Sequence, residues 1–206
     1  MTMISATLAA LLASTPTTEP TYEPGTAFIY SRGRVETVVE NREEEVVWAT
    51  RRGREYVRNK NIVLPITHWT IDDRTGERRF YGENDAFWPP APGARTRFRV
   101  VTDVDRDGEI SRSVQYWNCQ VREAEPVALP NGEFDALPIQ CERFSANTMN
   151  FLERRTWWWS EEIGHYVQRE YTDLRDAETS RIRLWAVLPP RQASEARIEA
   201  LAEEGC

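Results

Sequence analysis

Aspartates at alternate positions followed by a glycine can grip a calcium ion, and Asp103-Val-Asp105-Arg-Asp107-Gly108-Glu-Ile110 reproduces the first half of such a loop. The second half fails, because Val114 stands where a bidentate carboxylate is required and the flanks read as strands. The segment therefore reads as a hairpin tip, with Asp and Gly supplying the turn conformations. His68 and His165 are the only histidines. They fall on different predicted strands, without metal-ligand spacing, and no serine elbow or reactive-cysteine signature accompanies them. No metal, no cofactor and no catalytic residue is assigned; carboxylate pairs such as Glu161-Glu162 read as solvated faces.

The aromatic residues point further. Three of the eight tryptophans are consecutive, Trp157-Trp158-Trp159. On a strand, alternation aims Trp157 and Trp159 at one face and Trp158 at the other. If that face lines a concavity, Trp157 and Trp159, with Trp117 and Trp185 from other strands, would wall a site for a lipid, an acyl chain or a stacked sugar. The competing reading is that these rings fill the core.

Cys119, Cys141 and Cys206 make an odd count, so at least one thiol is unpaired. If Asn131-Gly132 is a two-residue hairpin turn, Cys119 faces Phe144 and Cys141 faces Arg122, which points the two thiols to opposite faces. Buried free thiols are then expected. A one-residue bulge at Glu123-Ala124-Glu125 is the route by which the pair could meet and oxidise.

The elements that must carry these residues are mainly strands. Val35 to Val39, Glu45 to Thr50 and Glu55 to Arg58 are β-rich runs separated by Asn41-Arg42 and Arg52-Gly53, and Ile66 to Asp72 turns at Arg74-Thr75-Gly76 into Arg78 to Tyr81. Trp88-Pro-Pro-Ala-Pro-Gly93 breaks any regular element. Strands resume at Thr96, Ser113, Pro126, Phe134, Arg155, Gly164 and Arg181. About ten to twelve strands exceed what one open twisted sheet carries without curling, so the expectation is a curled antiparallel sheet, an open half-barrel. Ala193 to Glu204 has helix-forming residues with Gly205 just beyond, which predicts one short C-terminal helix.

At 206 residues the chain suits one domain. Residues 1–24 read as a signal peptide and a flexible segment, from an apolar run to Ala13 and a Ser/Thr/Pro/Glu-rich stretch after it, with a frayed helical terminus as the alternative. Residues 25–190 then form the β-domain and 191–206 the helix. No later run approaches the ~20 apolar residues of a membrane span. The net charge of -7, from 33 acidic and 26 basic residues, leaves the basic residues spread among acidic ones with no basic stripe, which argues against nucleic acid as a partner.

Three segments, in order, carry a resemblance: Trp88-Pro-Pro-Ala-Pro-Gly93, Leu129-Pro-Asn-Gly-Glu-Phe134 and Trp159-Ser-Glu-Glu-Ile-Gly-His-Tyr-Val-Gln-Arg169. Together they are similar to patterns in uncharacterised families of exported bacterial β-domains, over about Trp88 to Leu188. The resemblance implies a curled sheet like the half-barrel of periplasmic lipoprotein carriers, and a periplasmic or secreted location; it implies no activity. The leading expectation is a non-catalytic envelope domain that binds a hydrophobic or amphipathic ligand, such as a lipid. A structural module that binds another envelope protein comes second, and a hydrolase using His165 or dispersed carboxylates third.

Overall fold

The computed structural model describes residues 22–82, 87–174 and 178–206, so the expected signal segment lies almost entirely outside the described residues. Thirteen strands form: β1 (Ala27–Tyr30), β2 (Arg34–Asn41), β3 (Glu45–Thr50), β4 (Glu55–Asn59), β5 (His68–Ile71), β6 (Arg74–Gly82) and β7 (Arg95–Arg106), then β8 (Glu109–Val121), β9 (Glu125–Leu129), β10 (Gly132–Ser145), β11 (Phe151–Ser160), β12 (His165–Asp173) and β13 (Thr179–Leu188). One helix, α1 (Glu195–Glu204), follows. No helix among the described residues is long and apolar enough to cross a membrane.

Strands β1 to β8 pair antiparallel in chain order, β8 passes over β9 to pair with β10, and β10, β11, β12 and β13 continue the ring. β13 then pairs with β1, with Phe28 opposite Val187 and Tyr30 opposite Leu184. The sheet is therefore a closed barrel of twelve strands, not an open half-barrel; β9 stands outside the ring, paired to the start of β10. Closure has a local cause in β1. All four of its residues are buried, so the strand lacks the alternation by which a half-exposed strand is recognised. An open sheet would leave its backbone edge and an apolar face uncovered, whereas pairing with β13 satisfies the one and α1 covers the other.

Phe28 and Tyr30 point into the barrel, while Ala27 and Ile29 join Val35, Leu188 and Ala202 in a second cluster on the outer wall, beneath α1. The helix adds Ile198 and Leu201 to this cluster. Burying a side chain of leucine size contributes about 1.5–3 kcal/mol, enough to hold a short helix that would be marginal alone. The backbone N–H of Arg32 also donates to the Gly205 carbonyl (2.7 Å), tying the helix end to the β1–β2 turn.

The disulfide joins Cys119 to Cys141. The two residues stand directly opposite in the β8–β10 register, with Cα atoms 4.1 Å apart, so the expectation of opposed thiols is corrected. The two-residue turn is Pro130-Asn131, between Leu129 and Gly132, and it joins β10 to β9 rather than to the strand carrying Cys119. The break at 122–124 resets the phase as a bulge would have done. The β5–β6 turn is likewise Asp72-Asp73, with Asp72 at φ 54°, and Gly76 lies inside β6. Asp107-Gly108 is a hairpin tip as expected, where the Gly108 N–H donates to Asp105 Oδ1 (2.8 Å).

One end of the barrel is filled. Residues 60–67 send Ile62, Val63 and Leu64 into the same core as Trp48 and Trp159, and Tyr22 and Phe87 add rings. The other end is lined differently.

Candidate functional site

Six strands each contribute one inward arginine to a cavity of about 300 Å³: Arg34 (β2), Arg58 (β4), Arg78 (β6), Arg143 (β10), Arg155 (β11) and Arg169 (β12). Strand alternation places them. On β11, for example, Glu153, Arg155, Trp157 and Trp159 share the inward face, and Trp157 stands opposite Arg169 of β12. Thr102, Ser113, Gln115 and Trp117 complete the polar wall.

Two buried carboxylates stand against these six guanidiniums. Glu153 forms ion pairs with Arg143 Nη2 (2.5 Å) and Arg155 Nε (2.6 Å). Arg34 donates to Glu36 Oε1 from Nε (3.1 Å) and Nη2 (2.5 Å), and Tyr166 Oη donates to Glu36 Oε2 (2.7 Å). Burial alone would raise the Glu36 pKa; Arg34 first, then His165, Arg58 and Arg169, outweigh it and hold the carboxyl well below its usual range.

The remaining cations lack carboxylate partners. Arg78 donates from Nη1 to the Ile66 carbonyl (2.9 Å), and its guanidinium lies 4.1 Å over the ring of Trp69. Trp69 in turn lies flat over Gly76, where an added Cβ would meet the indole at 1.9 Å, so Gly76 is what lets the stack form. Burial, with repulsion from Arg155, Arg143 and Arg58, pushes the Arg78 pKa down to about 10. Burial also lowers Arg155, against the pull of Glu153, and Arg169 and Arg143 add to the effect. Arg169 sits 5.8 Å over Tyr166. Arg58, only 6% exposed, makes no hydrogen bond or ion pair among the described residues.

Such an arrangement suits oxyanions. Guanidinium forks meet carboxylate or phosphate oxygens bidentately, and a secluded site strengthens each contact relative to water. No histidine or cysteine lines the cavity. His165 is buried among Phe28, Trp48, Tyr22 and Tyr166, shares a hydrogen bond between Nδ1 and Tyr22 Oη (3.1 Å), and keeps Nε2 3.8 Å from Glu36 Oε2, too far for a hydrogen bond. Burial lowers its pKa, opposed by Glu36 and reinforced by Arg58 and Arg169, so the ring is neutral. Among the described residues, no cluster of His, Cys, Asp or Glu has a metal-holding arrangement.

The tryptophans singled out from the sequence separate. Trp157 and Trp159 point inward and are buried at 1% and 2% exposure, the latter edge-on to Trp88 at 4.7 Å. Trp117 stacks on Phe98 and forms part of the cavity wall. Trp185 lies apart, in the outer cluster beneath α1. Trp158 faces outward and donates to Glu125 (2.6 Å). The arginines escaped the sequence reading because each stands on a separate strand among acidic neighbours. Their signal was phase: Arg155 shares the inward face of Trp157.

No protein-family model and no curated protein matches this sequence. Among solved structures the chain is similar to the hypothetical lipoprotein YmcC from Escherichia coli K12, with a TM-score of 0.50 and 10% identity over 80% of this chain and 84% of that one. It is also similar to a protein with a YmcC-like fold from Bacteroides fragilis NCTC 9343, with a TM-score of 0.39 and 15% identity over 82% of this chain and 97% of that one. The first likeness establishes a YmcC-like fold, and the resemblance seen in the sequence holds at that level.

Proposed function

We propose that the protein is an exported, non-catalytic domain of the cell envelope that binds an anionic ligand in the arginine-lined end of its barrel. The observation that carries this reading is the excess of inward guanidiniums over carboxylates, with Arg58 buried and unpartnered. Guanidiniums held out of bulk water without close counter-ions are unfavourable, and a bound oxyanion offsets this through charge-assisted hydrogen bonds of about 1.5–3 kcal/mol each. Of the ligands expected from the sequence, an amphipathic molecule with a negative group fits this cavity better than a purely hydrophobic one. The Cys119–Cys141 disulfide supports export, since such bonds persist in oxidising compartments, and the similar Escherichia coli protein is a lipoprotein by name.

The test is native mass spectrometry of the protein expressed with its own leader and isolated gently from the periplasm, set beside its denatured mass. The reading predicts a processed chain carrying an anionic adduct that denaturation removes. A bare chain that still includes residues 1–24 contradicts both export and ligand binding. A bare, processed chain favours the second reading, a protein-interaction module, which rests on the outer edge of β9: no strand among the described residues pairs with it.

A further inference from the structure

A second cavity, of about 330 Å³, adjoins the first and shares Arg34, Arg58, Ile66 and Arg78 with it. Apolar surface predominates on its own walls, from Tyr56, Trp69 and the exposed Ile71, beside Thr50, Arg54, Glu55 and Thr70. The stacked pair of Arg78 and Trp69 forms the boundary, with the guanidinium serving both cavities and the indole walling the second. One compartment is thus dominated by charge and the next by apolar surface, over a shared set of arginines.

We infer that the site is bipartite and takes a phosphate monoester of an amphipathic molecule, its phosphate among Arg58, Arg78, Arg143, Arg155 and Arg169 and its apolar body against Tyr56, Ile66, Trp69 and Ile71. This inference rests on the anion-binding reading above and specifies its ligand. A dianion is the better match than a monoanion, because Glu36 and Glu153 leave several guanidiniums uncompensated, and the three oxygens of a phosphate monoester present acceptors to several forks at once. The apolar compartment is of a size that holds a small organic body, at the lower bound of ordinary ligand pockets. Arg34 and Arg54 also line the second cavity, but Glu36 and Asp72 pair with them and Glu55 stands beside them, so the uncompensated charge lies in the first cavity.

The experiment is isothermal titration of the full chain with inorganic phosphate, octyl phosphate, phenyl phosphate and octyl sulfate, repeated on Arg58→Gln and Ile71→Gln. The expected result is that octyl or phenyl phosphate binds at least tenfold more tightly than inorganic phosphate, and more tightly than octyl sulfate. Arg58→Gln should weaken every phosphate at least tenfold, while Ile71→Gln should reduce the advantage of the organic esters several-fold and leave inorganic phosphate unchanged. A preference for octyl over phenyl phosphate assigns the ester to a lipid-like source, and the reverse to a ring-bearing one; both support the inference. Equal affinity for inorganic phosphate and its esters overturns the bipartite site while leaving the anion-binding reading intact. Octyl sulfate binding as well as octyl phosphate overturns the choice of a dianion. Failure of every anion to bind a protein whose near-ultraviolet circular dichroism is native overturns both readings.

Discussion

The interior around His165 and the arginine-lined end are built by the same strands, yet they pair buried charge differently. Around His165, Tyr22 Oη shares a hydrogen bond with Nδ1 while Nε2 has no hydrogen-bond partner among the described residues, and Arg34 and Tyr166 satisfy Glu36, within a shell of packed rings. At the arginine-lined end, Glu153 serves two guanidiniums, and Arg58 has no carboxylate within ion-pair distance among the described residues, only the more distant attraction of Glu36. The first arrangement stabilises a folded chain; the second forgoes stability. Proteins tolerate that kind of local conflict mainly where something binds.

Substitutions in either region separate the two roles. Trp157→Ala removes a ring from the filled interior and should cost about 3–5 kcal/mol in urea unfolding, while leaving anion affinity in the surviving folded protein within a few-fold of wild type. Glu153→Gln strips Arg143 and Arg155 of their shared counter-ion and should cost a similar ~3–5 kcal/mol. The two losses should differ in character: saturating phosphate narrows the second gap, by about 1.4 kcal/mol for each tenfold by which Glu153→Gln binds phosphate more tightly than wild type, and leaves the first unchanged.

A smaller effect is expected from Gly76→Ala, which drives a methyl group into Trp69 and so displaces the ring beneath Arg78. Overpacking of this kind costs about 1–3 kcal/mol, and anion affinity should fall with it because Arg78 loses its platform. Intrinsic fluorescence of Trp69 and a phosphate titration report the two consequences separately.

The smallest effect is a pH dependence of the filled interior. His165 is held neutral by burial, so its folded pKa lies below the unfolded value of about 6.5, and the unfolded chain takes up a proton that the native ring refuses. Stability should therefore fall as pH drops below 6.5, by up to about 1.4 kcal/mol per unit, and His165→Gln should flatten urea midpoints between pH 7 and 5. Glu36, whose pKa is depressed, adds a further loss only at lower pH: its contribution is present above the unfolded value near 4.3 and disappears as pH falls through the folded one.

Local chemistry was legible in the sequence where it did not depend on distant partners. Alternation placed Trp157 and Trp159 on one face and Trp158 on the other, the Asp107-Gly108 tip was read as a turn, and the helix was placed within two residues of its start. What failed was pairing. Cys119 was matched through a turn that belongs to a different strand pair, and the closure of β13 on β1 joins segments more than 150 residues apart, which no local period encodes. The arginine cavity failed for the same reason, since six residues on six strands become neighbours only after the ring closes.

The central claim is that Arg58 is kept for a ligand and not for the fold, and thermal unfolding of Arg58→Met in chloride buffer, with and without phosphate, tests it most directly. The variant should melt no lower than wild type without phosphate, because relief of the repulsion between Arg58 and Arg78 and of the burial of the charge offsets the lost attraction to Glu36, and phosphate should raise the wild type far more than the variant. A variant that melts lower than wild type, with phosphate moving neither, would contradict it.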